Sequence, residues 1–316
     1  MFCRLPRRWR VREGTVSGRV NAATLLKNLA KENLAKEESI RANIAIAGAF
    51  PALAMLAASE SKSCQEAAVD ALAWLCSDGG LAEGAASAGV IPPLVAIIAT
   101  TSAAASKVKA SAATALCHLC CHAKLRQCIV AAGALAPLVH VLASDFQRGK
   151  ASDVAKPYPL ILFLSLSLSL SAACPSLSED PQLRAPIANT ENALFVLLDL
   201  LEPVRKTSGK HSWMECQAPR ALATVALLAQ SQPVRAQLAN AGAITPLVEC
   251  LQLHSDADGC RGHAAAALGY IAQELELRAA VNSSARAALS ALVSDGNADP
   301  AARARAGLAL QQLQAF

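Results

Sequence analysis

AGVIPPLVAII at 88–98, AGALAPLVHVL at 132–142 and AGAITPLVECL at 241–251 are one phrase written three times. AGAFPALAML at 47–56 repeats it with small changes, and ANTENALFVLL at 188–198 and SSARAALSALV at 283–293 with larger ones. The shared leucines are Leu53, Leu94, Leu138, Leu194, Leu247 and Leu289, spaced 41, 44, 56, 53 and 42 residues apart. A period near 42 residues is that of a helical solenoid, in which each unit buries its apolar face against its neighbours.

The phrase has a physical grammar. Five residues ahead of each leucine stands Gly48, Gly89, Gly133, Asn189, Gly242 or Ser284. Glycine and asparagine tolerate the left-handed backbone that ends a helix and turns the chain sharply. Pro51, Pro92, Pro93, Pro137 or Pro246 follows, in the first helical turn, where no amide hydrogen is needed. Leucine and valine then recur at helical spacing and predict a buried second helix. A short first helix precedes the turn, with Arg41, Arg126 and Arg235 seven residues ahead of the glycine. A longer, Ala-rich third helix comes after, at 65–76, 108–120, 218–229 and 262–272.

Two segments break the pattern. Residues 146–180 should hold a third helix, but Leu and Ser alternate there from Leu164 to Ser171. Alternation is a strand signal, and a lone strand in a helical stack has no ladder to join. The apolar run is too short for the roughly 20 residues of a membrane helix. A substitute for the third helix and a translated pyrimidine-rich intron both account for it. Residues 202–215, polar and glycine-containing, read as a surface loop. The ends read as caps, with Asn21, Lys27 and Asn28 near the start and a mixed Leu/Arg/Gln helix near 300–314.

A short helix, a glycine turn, a Pro-started helix and a long Ala-Leu helix resemble the armadillo repeat. The resemblance covers roughly 20–314, apart from the two insertions. It implies an all-α, right-handed solenoid of about six three-helix repeats, with the third helices lining a concave groove. The domain plan expected is a basic disordered leader at 1–19 and an armadillo domain at 20–316, interrupted at 146–180 and 202–215.

The net charge of +5 resides in residues 1–19, where six arginines face one acid, so the rest of the chain is formally neutral. A neutral body lacks the phosphate-neutralising stripe of nucleic-acid binders. The eleven cysteines fall mostly in helical, Ala-rich runs such as those around Cys64, Cys76, Cys117 and Cys250, where free thiols serve as small apolar side chains. This usage points to a reducing compartment, the cytoplasm or nucleus. The Arg-rich start also fits an organelle transit peptide.

The chain carries no G-x-G-x-x-G, phosphate loop, H-E-x-x-H or G-x-S-x-G. Cys117, Cys120 and Cys121 share a helical face beside His118, but no second ligand pair accompanies them, and core packing is the expectation. No catalytic residue, metal or cofactor is expected.

Peptide-gripping members of the importin alpha and beta-catenin families place Asn before the last leucine of the third helix. Here that position reads Asn28, Trp74, His118, Leu227, Tyr270 and Gln312. The import relatives' Trp, four residues earlier, is replaced by Thr24, Asp70, Thr114, Ala223, Ala266 and Leu308. A nuclear-signal receptor is thereby disfavoured. The expected partner-binding residues are Glu66, Asp70, Trp74, Ser111, Thr114, His118, His263, Tyr270, Arg305 and Gln312, with Trp74 and Tyr270 as aromatic anchors. The expected function is non-catalytic protein–protein interaction as a scaffold or adaptor, with no nucleic-acid or membrane partner. The alternative is the substrate-binding or targeting portion of a larger assembly, such as a ubiquitin ligase or a vacuolar adaptor.

Overall fold

The computed structural model describes residues 18, 20–25, 28, 48–100, 106–140, 178–201, 218–252 and 259–314. Nearly all of the leader and of the 146–180 segment, and the whole 202–215 insertion, lie outside the described residues. Among the described residues there is no strand.

The helices are α1 (Ala49–Ala57), α2 (Lys62–Cys76), α3 (Ala82–Ser87), α4 (Ile91–Ala99), α5 (Ser106–Cys120), α6 (Ala123–Ala131) and α7 (135–140). These make up one compact unit. A second unit holds α8 (Pro181–Ala188), α9 (Ala193–Asp199), α10 (Ala218–Ala229), α11 (Gln232–Asn240), α12 (Ile244–Leu251), α13 (Cys260–Ile271), α14 (Leu275–Ser294) and α15 (Pro300–Gln314). Third helices are stacked within each unit: α2 packs on α5, α10 on α13, and α13 on α15.

The six shared leucines are all buried, as are Leu72, Leu75, Leu116, Leu119, Leu222 and Leu268 of the third helices. Each such side chain contributes about 1.5–3 kcal/mol by leaving water. Gly48, Gly89, Gly133 and Gly242 all have positive φ, as the turn requires. At Gly242, φ is +81° and the space around a Cβ would be open, so the backbone conformation alone selects glycine.

Two turns differ from expectation. Asn189 is right-handed, with φ −80°, and the left-handed residue is Asn192, at φ 62°. The chain turns three residues later there because Thr190–Asn192 intervene before α9 starts at Ala193. Ser284 makes no turn at all. With no residue of positive φ at this point, first and second helices run on as the 20-residue α14.

In α6, α8, α11 and α14 an arginine fastens the first helix to the chain just before it, whereas α3 carries none. Arg126 Nε donates to the Cys120 carbonyl at 2.9 Å, Arg184 to Ser178 at 2.9 Å, Arg235 to Ala229 at 2.9 Å and Arg278 to Ala272 at 3.1 Å. Every acceptor lies six residues back. In three cases it is a carbonyl at the C-terminus of a third helix, where the helix dipole also favours a cation. Arg235 further donates to Gln230 O at 3.3 Å and pairs with Glu274 of the next repeat at 2.9 Å.

α13 and α15 approach closely because small residues face each other. A Cβ at Gly269 would sit 3.1 Å from the Ala309 Cβ, and one at Gly262 would sit 3.3 Å from that of Ala302.

Candidate binding faces of the third helices

A third helix buries its leucine side and leaves a strip in partial contact with solvent, and this strip holds the residues singled out from the sequence except Asp70, which is buried. In the first unit, Glu66, Asp70 and Trp74 lie on α2, and Ser111, Thr114 and His118 on α5. Several of these polar groups are engaged with one another. Ser111 Oγ donates to Asp70 Oδ1 at 2.5 Å, and Asp70 is only 8% exposed. Lys107 donates to Glu66, a partner the sequence reading had not named, and this bond raises the lysine's pKa. The two bonds join residues 41 apart and fasten α2 to α5 through side chains. Thr114 Oγ1 donates to the Ala110 carbonyl at 2.9 Å. Trp74 is 37% exposed, while Leu75 beside it is fully buried. His118 is half-buried, and desolvation holds its pKa below the usual 6.5. It is therefore neutral at pH 7.

The second unit has a face of different chemistry. His263 and Tyr270 on α13 and Arg305 and Gln312 on α15 are all partly exposed. α10 adds Arg220, Ala223 and Leu227, and the turn after it Gln230, all partly exposed and none of them among the binding residues expected from the sequence. Arg220, His263 and Arg305 occupy corresponding positions, 43 and 42 residues apart. Ala223, Ala266 and Leu308 follow in the next row, then Leu227, Tyr270 and Gln312. Gln230 and Gln273 form the edge. An Nη of Arg305 lies 3.1 Å from where a Cβ of Gly262 would be, so the glycine lets the guanidinium fold against α13 beside His263. These positions carry no aspartate or glutamate. Counting positions 42–43 residues along from His263 and Tyr270 would have found the α10 members. The 202–215 insertion just ahead of α10 obscures that count.

The cysteine-rich end of α5 does not gather into a metal site. Cys120 is fully buried, Cys121 is exposed, and the Cys121 thiol donates to the Cys117 carbonyl at 3.4 Å. Among the described residues no group of three or more His, Cys, Asp or Glu side chains could hold a metal. The described cysteines are free thiols, and burial pushes Cys76 up to about 12. No single described helix is long and apolar enough to cross a membrane.

Residues 231–273 match the armadillo/beta-catenin-like repeat family. This span runs from the N-cap of α11 to the end of α13 and so includes one complete first–second–third helix set. Among solved structures, an engineered protein superposes with a TM-score of 0.78 at 22% identity, over 98% of this chain and 67% of its own. A designed armadillo repeat protein in complex with the peptide (KR)4 superposes with a TM-score of 0.63 at 21% identity, over 84% of this chain and 99% of its own. No curated protein sequence matches the chain. One repeat of the chain thus matches the armadillo family, and the fold as a whole is an armadillo-type all-α solenoid.

Proposed function

We propose that the chain is a non-catalytic interaction scaffold that holds a protein or peptide partner on faces made by its third helices. The observation that carries this reading is the composition of those faces. They offer partly exposed aromatic and hydrogen-bonding side chains, Trp74 and His118 in one unit and Tyr270 and Gln312 in the other, over a floor of fully buried leucines. Aromatic anchors on a rigid floor supply binding energy at low entropic cost. The designed armadillo protein with its (KR)4 peptide gives a precedent for this fold as a peptide scaffold.

The test is affinity capture from native cell extract with the full chain as bait. A second bait carries Trp74→Ala and Tyr270→Ala, once its helical signal and melting temperature are shown to match. A partner held by the first and lost from the second supports the reading. Identical partners on both baits would move the binding function to the outer helices or loops.

A further inference from the structure

Two positions that the earlier described repeats bury come to the surface in the last one. The final residue of the repeated phrase is Ile98, Leu198 or Leu251, exposed by 1%, 8% and 4%, but in the last repeat it is Val293, exposed by 40%. Three residues ahead of the last core residue of a third helix stand Leu72, Leu116, Val225 and Leu268, all fully buried. Their counterpart on α15, Leu310, is partly exposed. The close-packing positions follow the same course. α13 receives α15 at Gly262 and Gly269, which are buried against Ala302 and Ala309. The corresponding residues of α15, Ala304 and Gln311, are exposed, and a Cβ on Gly307 between them would meet nothing within 4 Å. The far side of α15 thus continues the surface by which α13 takes the next helix, and it stands open to solvent.

A helix that closes a solenoid needs a polar outer side. Gln311 and Gln314 supply amides there, but Val293, Ala304, Gly307 and Leu310 do not. The order of sizes along α15 says what fits. The small residues, Ala304 and Gly307, come first, and the long ones, Gln311 and Gln314, come after. A second α15 laid antiparallel sets long side chains against small ones at both ends, as ridges enter grooves. Laid parallel, it would oppose amide to amide and leave Ala304 and Gly307 facing a gap. Antiparallel alignment also opposes the two helix dipoles and keeps Arg303 and Arg305 away from their own copies.

From this we infer that the open side of α15, with Val293 of α14, is the docking site for a second copy of the chain, α15 against α15 about a two-fold axis. A contact of this symmetry closes at two copies. The 15 residues of α15 span about 22 Å, and a neighbouring helix lies about 8–10 Å to its side, so each copy offers roughly 400 Å² in projection. That is small for a protein interface, so the dimer is weak and forms as concentration rises. The pairing does not depend on the scaffold reading, but it would set two sets of third-helix faces in one particle. A partner with two matching segments would then bind by avidity.

Sedimentation equilibrium of the full chain, from about 5 to about 500 μM, tests the pairing. The average mass should rise from one chain toward two and go no higher. Ala304→Glu with Gly307→Glu should move the midpoint upward by at least about tenfold, because four carboxylates would then meet in the contact. Both side chains would point into open space, and glutamate is a better helix former than glycine, so helicity should be kept. If circular dichroism shows otherwise, Gln311→Glu carries the same test. Leu275→Lys should leave the curve unchanged, since this residue is exposed and its counterpart in the preceding repeat, Gln232, is exposed as well. A mass of one chain throughout overturns the inference, as does a midpoint unmoved by the glutamates. Growth past two copies overturns it too, because it marks open-ended head-to-tail stacking instead of a closed pair.

Discussion

Gly269 and Gly242 are both glycines of the repeat, but for opposite reasons, and the difference is measurable. Gly269 has ordinary helical backbone and no room, since its Cβ would meet the Ala309 Cβ at 3.1 Å and Cα at 3.2 Å. Gly269→Leu should therefore cost about 1–3 kcal/mol through overpacking, read from urea unfolding. Gly242 has open space and φ +81°, so Gly242→Ala should lose about 1–2 kcal/mol from the left-handed backbone alone. Gly242→Asn should lose less, because asparagine tolerates that region. His118 supplies a pH effect of fixed sign. Its folded pKa is depressed by burial, so between that value and 6.5 the unfolded chain binds more protons than the folded one. Its contribution to stability is complete above pH 6.5 and is lost as pH falls through the window toward the folded pKa. His118→Gln should remove this part of the pH dependence, seen as a flatter difference curve against the native chain from pH 7 to 5. An unchanged curve would place His118 in solvent in both states.

At the scale of the element, the arginine that ties a first helix to the end of the preceding helix recurs four times among the described residues. Arg235 serves three acceptors, Ala229 O, Gln230 O and Glu274, and so couples two successive repeats. Arg235→Met keeps much of the apolar stem and removes the charge-assisted bonds. It should cost about 1.5–3 kcal/mol, detected as a lower urea midpoint with an unchanged slope. Arg126 and Arg235 stood out in the sequence because each lies seven residues ahead of a turn glycine. Arg184 and Arg278 escaped that count. The chain turns at Asn192 rather than Asn189 in one repeat and does not turn at Ser284 in the other. Counting back six residues to the end of the preceding third helix would have found all but Arg184, because the sequence ahead of Ser178 carries no Ala-Leu third-helix pattern. Helix type and order were legible because leucine periodicity and Gly-Pro punctuation act within one element. The Asp70–Ser111 bond, the Lys107–Glu66 pair and the row of Arg220 on α10 were not, because they depend on the register between elements.

For the whole molecule, the governing fact is that the substantial helix–helix contacts among the described residues join elements of one repeat or of successive repeats. Stability in such a chain is a sum of local terms and nearest-neighbour terms, so damage should stay near its origin. Gly269→Leu offers a direct test because it strikes one interface, between α13 and α15, at a single residue. In hydrogen exchange followed by mass spectrometry, protection should fall in α13 and α15 and, by a smaller amount, in α10 and α14, which pack against them. Protection in α2 and α5, fastened to each other by Asp70–Ser111 and Lys107–Glu66, should not change. A uniform loss across both sets would mean that the chain unfolds as one cooperative body. In that case a partner held on the α10–α13–α15 face would stabilise the whole chain through mass action. With local damage, the same partner would protect its own helices alone, and the two units could answer to different ligands.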